Sequence, residues 1–254
     1  MTILLVYLAY AVAISVALGL AGHRSPGRSR DPRPASERAR EGVSKRILIV
    51  GATGGTGRQL VARALELGHE VAALARDPSK LDLRHPRLEI VQGDVLDPAS
   101  LEAAVRSRDA VLSALGHKRY LGPSRILSDG TRNLLVAMEA HGVRRLVCET
   151  SLGIGSAAGR MGLYYTFLVI PLVLPFYFWD KTRQERAIAR SSAEWVIVRP
   201  GALTDGPRRG RLRHGPRVGS FLRTVRVSRA DVAEFMLGQL DSEAYLRDAV
   251  GVSW

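Results

Sequence analysis

The sequence predicts a doubly wound α/β domain on a parallel sheet, preceded by one N-terminal apolar helix. Three observations carry this. Apolar, often β-branched runs alternate with helical patterns from residue 45 to about 240. The first such run breaks into glycines that open a helix. Residues Ile3 to Ala21, nineteen in all, carry no charged side chain. At about 1.5 Å of rise per residue, that run is close to the thickness of a bilayer core.

Taken in order, residues 1–22 read as a membrane anchor. A cleaved signal peptide is the rival. It is opposed by the lack of Lys or Arg before the apolar run and by Arg24, Arg28, Arg30, Arg33, Arg38 and Arg40 after it. Cytoplasmic retention of those arginines predicts a single pass with the catalytic domain in the cytoplasm. Residues 23–44, rich in Gly, Pro, Ser and Arg, read as a basic disordered linker, and 45–254 as the folded domain.

Within that domain, Ile47 to Val50 reads as a strand buried on both faces. Gly51, Gly54 and Gly57 follow as Gly-x-x-Gly-x-x-Gly, and Leu60, Val61, Ala64 and Leu65 repeat at helical spacing. Further strands are read at 71–75, 88–91, 110–112, 146–148 and 195–198. Helices are read at about 98–106, 124–141, 180–191 and 228–240, with Gly142 a stop and Ser228–Asp231 a capping box. The basic stretch 208–227 reads as a loop with one or two short strands. Met161 to Trp179 is again uncharged, but spanning would separate strands of one sheet, and Pro171 and Pro175 break a straight helix. Three readings stand for it: a hydrophobic lid over the site, an apolar face dipping into the bilayer, or a buried crossover helix.

The chain has 254 residues and a net charge of +13. That charge is spread along the chain without zinc-finger spacing or basic–aromatic interleaving, so no nucleic-acid partner is expected. Its one cysteine, Cys148, excludes an internal disulfide. The six histidines lack ligand spacing, and no metal is expected.

A strand, a glycine turn and a helix N-terminus make a phosphate site. The outward N–H groups and the helix dipole favour an anion there. Strand ends at Gly51, Arg76, Asp94, Gly116, Ser151 and Pro200 are expected along one sheet edge, where α/β folds bind ligands. Where NAD sites place an acid, about 20 residues after the glycines, Arg76 stands, with Lys80 one turn on. Two cations suit a 2′-phosphate, which favours NADP(H). Adjacent Asp77 keeps NAD(H) open.

The motifs GATGGTG, LARDPSK, GDVLD, SDGTRNLL, HGVRRLV followed by ETS, and VIVRPGALTDGP resemble the atypical short-chain dehydrogenase/reductases. The likeness is to their NAD(P)H-binding group, which contains biliverdin IXβ/flavin reductase and the NmrA-like proteins. It covers roughly residues 45–240 and implies a Rossmann fold. It also implies that Gly51, Thr53, Gly54, Gly55, Thr56 and Gly57 hold a pyrophosphate. Arg76 and Lys80 would hold the 2′-phosphate, Asp94 and Val95 the adenine, and Leu115 and Gly116 would line the ribose path. Ser151, Pro200 and Gly201 would flank the nicotinamide.

The wider superfamily uses Tyr-x-x-x-Lys, the tyrosine donating a proton and the lysine assisting it and holding the ribose. Tyr177 and Lys181 have that spacing, and Ser151 is the candidate carbonyl-polarising serine. The gap from Ser151 to Tyr177 is longer than usual, and the flavin reductase group does not rely on this dyad. Tyr177 is therefore read either as an acid or as an aromatic in an apolar wall, and Glu185 as a polar site residue or a solvated charge. The expected activity is NAD(P)H-dependent reduction of a small hydrophobic carbonyl, flavin-like or quinone-like substrate. The alternatives are a non-catalytic redox sensor of the NmrA type and a sugar-nucleotide epimerase-like protein. The oligomeric state is not readable.

Overall fold

The structure, a computed structural model, describes residues 2–22, 44–117, 120 and 122–254; the expected linker at 23–43, with its arginines, lies outside the described residues. Helix α1 (Thr2–Ala21) precedes β1 (Arg46–Val50), α2 (Gly55–Glu66), β2 (Glu70–Ala75), β3 (Leu88–Gln92), α3 (Pro98–Val105) and β4 (Ala110–Ser113). Then come α4 (Ile126–Ala140), β5 (Arg145–Glu149), α5 (Pro175–Ala189), β6 (Glu194–Pro200), β7 (Ala202–Thr204), β8 (Arg213–Gly215), β9 (Arg226–Ser228), α6 (Arg229–Gly238) and β10 (Asp248–Ser253).

The main sheet runs β3-β2-β1-β4-β5-β6-β10-β8, parallel except where β8 meets β10. The order reverses between β1 and β4, whose parallel pairing sets Val50 against Ser113. That reversal opens a crevice beyond the strand ends. β1, β4 and β5 are buried almost throughout because helices cover both faces. One apolar layer packs α2 and α6 against the sheet through Leu60, Val61, Val232 and Met236. The other packs the face under α3 and α4 through Leu101, Leu134 and Met138, with Ile188 of α5.

Two strands escape the sequence reading. β10 extends the sheet beside β6, and β7 pairs with β9 in a separate two-stranded ribbon. Asp248-Ala-Val-Gly-Val-Ser is short, glycine-interrupted and begins on a charge, so periodicity passes over it.

The uncharged 161–179 stretch is neither one helix nor wholly buried. It forms a π-helical turn at Tyr165–Val169, a short helical piece at Ile170–Leu172 and the first turn of α5. Pro171 and Pro175 each sit in the first turn of the helical piece they enter, where proline's missing N–H is tolerated. α5 therefore starts at Pro175, five residues before the expected Asp180, and Tyr177 and Lys181 lie one turn apart on a single helix.

α5 is locked in place by buried polar groups. The carboxylate of Asp180, fully buried, accepts from the backbone N–H groups of Leu127 (2.9 Å) and Ser128 (3.1 Å), capping α4 from outside. Glu185 is neither a solvated charge nor a groove residue. It is fully buried and pairs with the equally buried Arg199 of β6 at 2.6 Å, because apolar layers on both sides leave it no water.

Candidate functional site

A groove of about 770 Å³ lies over the carboxyl ends of the parallel strands. Gly51 turns out of β1 at φ +78°, and a Cβ there would meet the Ala114 carbonyl oxygen at 2.5 Å. Only glycine satisfies both the left-handed backbone and the close approach to the end of β4. The turn passes into α2, so Gly54, Gly55 and Thr56 present the helix N-terminus to the groove.

The residues expected to hold the dinucleotide or to move the proton line this groove except Gly57; Asp77 and Glu185, also weighed in the sequence, do not. Gly57 is buried behind the turn, where a Cβ would stand 2.0 Å from the Gly51 carbonyl oxygen. There it lets the first turn of α2 pack closely on the Gly51–Ala52 turn. Thr53 lines the same turn. Arg76 and Lys80 close the end beyond β2; Lys80 is paired with Asp77 at 3.1 Å, whereas Arg76 makes no ion pair among the described residues. The Asp94 carboxylate accepts from the Leu96 backbone N–H at 3.0 Å, holding the turn that also presents Val95. Leu115, Gly116, Ser151, Pro200 and Gly201 line the other half.

Tyr177 projects from α5 to the end of β4. A Cβ on Gly116 would lie 3.5 Å from its Oη. The Lys181 Nζ sits 5.2 Å from the Tyr177 ring centroid, as one helical turn dictates. His117 and Tyr120 pack edge-on against the same ring, at 4.9 and 5.7 Å between centroids. Lys181 is only 4% exposed. Burial pushes its ammonium towards deprotonation, but Tyr177, Glu149, Cys148 and Glu185 outweigh this and hold its pKa above the ordinary value. The Cys148 thiol, fully buried, is pushed up to about 12 by burial and is not a nucleophile.

Sequence reasoning missed two charged groups here. Glu149, at the end of β5, accepts from the Thr56 hydroxyl at 3.1 Å, tying the sheet edge to the glycine turn. Burial raises its pKa, partly offset by Lys181, the Thr56 hydrogen bond and Arg229. Its only local trace is a carboxylate closing the run Arg145-Leu-Val-Cys-Glu, which does not by itself mark a site. Arg229, the first residue of α6, lies over the glycine turn, its Cδ and Nε 2.5 Å from where a Gly55 Cβ would stand. It also pairs with Asp205 at 2.6 Å. In sequence it is hidden inside a helix cap.

These residues fit a dinucleotide. The turn that Gly51 and Gly57 make possible presents Gly54, Gly55 and Thr56 to the groove, with Arg229 above it. Two cations stand at one end, and an apolar and aromatic wall of Tyr177, Phe178, Met161 and Leu174 lines the other.

Comparison with known proteins agrees. Residues 51–243 match the NAD(P)H-binding family. An uncharacterised chloroplastic protein of Arabidopsis thaliana is 31% identical over 175 residues, 66% of this chain and 62% of that protein. A 3-diazoavenalumate denitrifying reductase of a Streptomyces species is 33% identical over 227 residues, 82% of this chain and 70% of that enzyme. A solved Rossmann-fold NAD(P)-binding protein of Shigella flexneri superposes with a TM-score of 0.63 at 27% identity, over 83% of this chain and 94% of that one. The chain thus spans less than two thirds of the Arabidopsis protein's length.

Proposed function

The chain belongs to the NAD(P)H-binding family, and from that premise we propose that it is an NADP(H)-dependent reductase of a hydrophobic carbonyl, flavin-like or quinone-like substrate, held at a membrane by α1. NADPH, when bound, supplies a hydride from nicotinamide C4. The backbone from Gly51 to Thr56, with Arg229 above it, binds the pyrophosphate. Arg76 and Lys80 take the 2′-phosphate, Asp94 and Val95 border the adenine, and Leu115 and Gly116 border the ribose. Ser151, Pro200 and Gly201 flank the nicotinamide, and the Ser151 hydroxyl orients a substrate oxygen. Tyr177 Oη gives the proton, and the Lys181 ammonium beneath its ring favours the phenolate left behind.

One observation carries this reading: the Tyr177 hydroxyl stands beside Gly116 at the sheet's switch point, with Lys181 buried under the same ring. An apolar substrate follows from the wall of Met161, Tyr165, Leu174 and Phe178. The test is NADPH oxidation against a panel of quinones, flavins and aldehydes. Turnover is expected, with Tyr177→Phe lowering kcat by about 10²–10⁴-fold at unchanged NADPH affinity. Tight NADPH binding without turnover of any panel member overturns the reductase and leaves the sensor reading in its place.

A further inference from the structure

α1 is not held by its sequence neighbours alone. Tyr7 Oη donates to the Phe167 carbonyl, and Tyr10 Oη to that of Pro171 at 3.2 Å. Ile14 and Leu18 pack with Ile154, Ile170 and Phe178. Arg186 Nε donates to the Ala21 carbonyl. These contacts run from Tyr7 to Ala21, about 21 Å of helix at roughly 1.5 Å for each of fourteen steps. α1 therefore lies alongside the 165–186 segment rather than projecting from the domain.

This geometry conflicts with a spanning helix. Crossing a hydrocarbon core takes about 30 Å, essentially the whole of α1. Its C-terminal half is docked beside α5, whose Arg183 and Arg186 reach the surface. Spanning in the docked position would draw those charges into lipid, at a cost of several kcal/mol each.

The other half of the contact is apolar and uncovered. Residues Ile3 to Val6 are 60–88% exposed. Beside them Tyr164, Leu168 and Leu172 are exposed, and so are Phe221 and Leu222 at a loop tip. The Phe167 and Phe221 rings meet edge-on at 6.2 Å, which joins the loop tip to the segment. A groove of about 780 Å³ runs between α1 and the domain, lined by Val12, Val16, Phe167 and Phe221. Thr166, a lining residue 3% exposed, has a hydroxyl without a hydrogen-bond partner among the described residues. Arg217 and Arg223 flank the loop tip and are exposed. Apolar surface of this extent, with a cationic rim on a chain of net charge +13, suits an anionic lipid surface.

We propose that the N-terminal half of α1, the 163–174 segment and the Phe221–Leu222 tip insert together into one leaflet of an anionic bilayer. The protein is then seated monotopically, and the groove between α1 and the domain takes a lipid acyl chain. This rests on the membrane reading above and replaces the spanning anchor with a half-inserted one. It also puts the nucleotide groove at the lipid surface, since Met161, Tyr165 and Leu174 belong to the same stretch and line that groove.

The test uses the full chain on phosphatidylcholine/phosphatidylglycerol vesicles, with Cys148 replaced by alanine and single spin labels at Leu4→Cys, Leu172→Cys, Leu222→Cys and Glu102→Cys. Power saturation with oxygen and an aqueous nickel chelate reads depth. The first three labels are expected to be oxygen-exposed and nickel-shielded, and Glu102→Cys aqueous. Flotation with aqueous Leu172→Cys and Leu222→Cys labels overturns the monotopic seating and leaves a spanning tether. Shielding from both reagents, with a concentration-dependent dimer, overturns it in favour of a second copy. Failure to float overturns the membrane reading itself.

Discussion

Removing the carboxylate of Glu185 tests how the sheet edge beneath the groove is held. Its two oxygens receive Arg199 Nε at 2.9 Å and Nη2 at 2.6 Å, a bidentate pair, and Oε1 also accepts from the Thr150 hydroxyl at 2.7 Å. Arg199 Nη1 donates to Ser156 Oγ at 2.9 Å. Both partners are at most 1% exposed, so water cannot replace what is lost. Breaking one side of such a pair costs about 3–5 kcal/mol, because an uncompensated charge stays buried. A domain of this size shifts by roughly 2–4 °C per kcal/mol, so Glu185→Ala is expected to lower Tm by about 6–20 °C. The double variant Glu185→Leu/Arg199→Met buries no charge and is expected to recover most of that loss. Urea unfolding of both variants, followed by tryptophan fluorescence, reads the energies. The reasoning fails if Glu185→Ala costs less than about 1 kcal/mol, or if the double variant is no more stable than the single one. Thr150 and Ser156 bracket Ser151, so surviving Glu185→Ala protein should also show a raised KM.

Three further outcomes follow from the site. Arg76→Ala removes a cation that makes no ion pair among the described residues; under the proposed 2′-phosphate role it should weaken NADPH binding by about 10–100-fold while leaving NADH binding unchanged, the range of one charge-assisted contact; equal loss for both cofactors contradicts the 2′-phosphate assignment. Glu149 has a raised carboxyl pKa, so the folded state holds its proton more tightly than the unfolded chain does. Its contribution is complete below the unfolded carboxyl range and falls as pH rises through the folded pKa. Glu149→Gln should flatten that fall, and a stability–pH curve unchanged by the substitution counts against the shift. Asp180→Ala leaves two N–H groups of α4 without their acceptor and should cost about 1–3 kcal/mol in urea unfolding. A loss below about 0.5 kcal/mol would mean water caps α4 instead.

The glycine turn, the strand-end residues and the Tyr177–Lys181 spacing were legible because each depends on local rules. A positive φ, a helix N-terminus and one helical turn are set within a few residues of chain. Glu149 and Arg229 were not legible as site residues. One is drawn to the turn by the pairing of β5 with β4, and the other by the return of α6 over α2. Gly57 was legible as an essential glycine, but not that the space it saves lies behind the turn, against Gly51 and Ala52.

The sequence by itself determined the alternating elements, the anion-binding turn, the cations beyond the second strand and an uncharged helix long enough to reach a bilayer. Hydrophobic period and backbone sterics act along the chain, so they are written in it. Only the tertiary structure decided that β10 extends the sheet beside β6, that Glu185 is sealed with Arg199, and that α1 lies along the 165–186 segment. Those outcomes depend on which distant surfaces meet and which charges lose their water on meeting, and no local pattern records either.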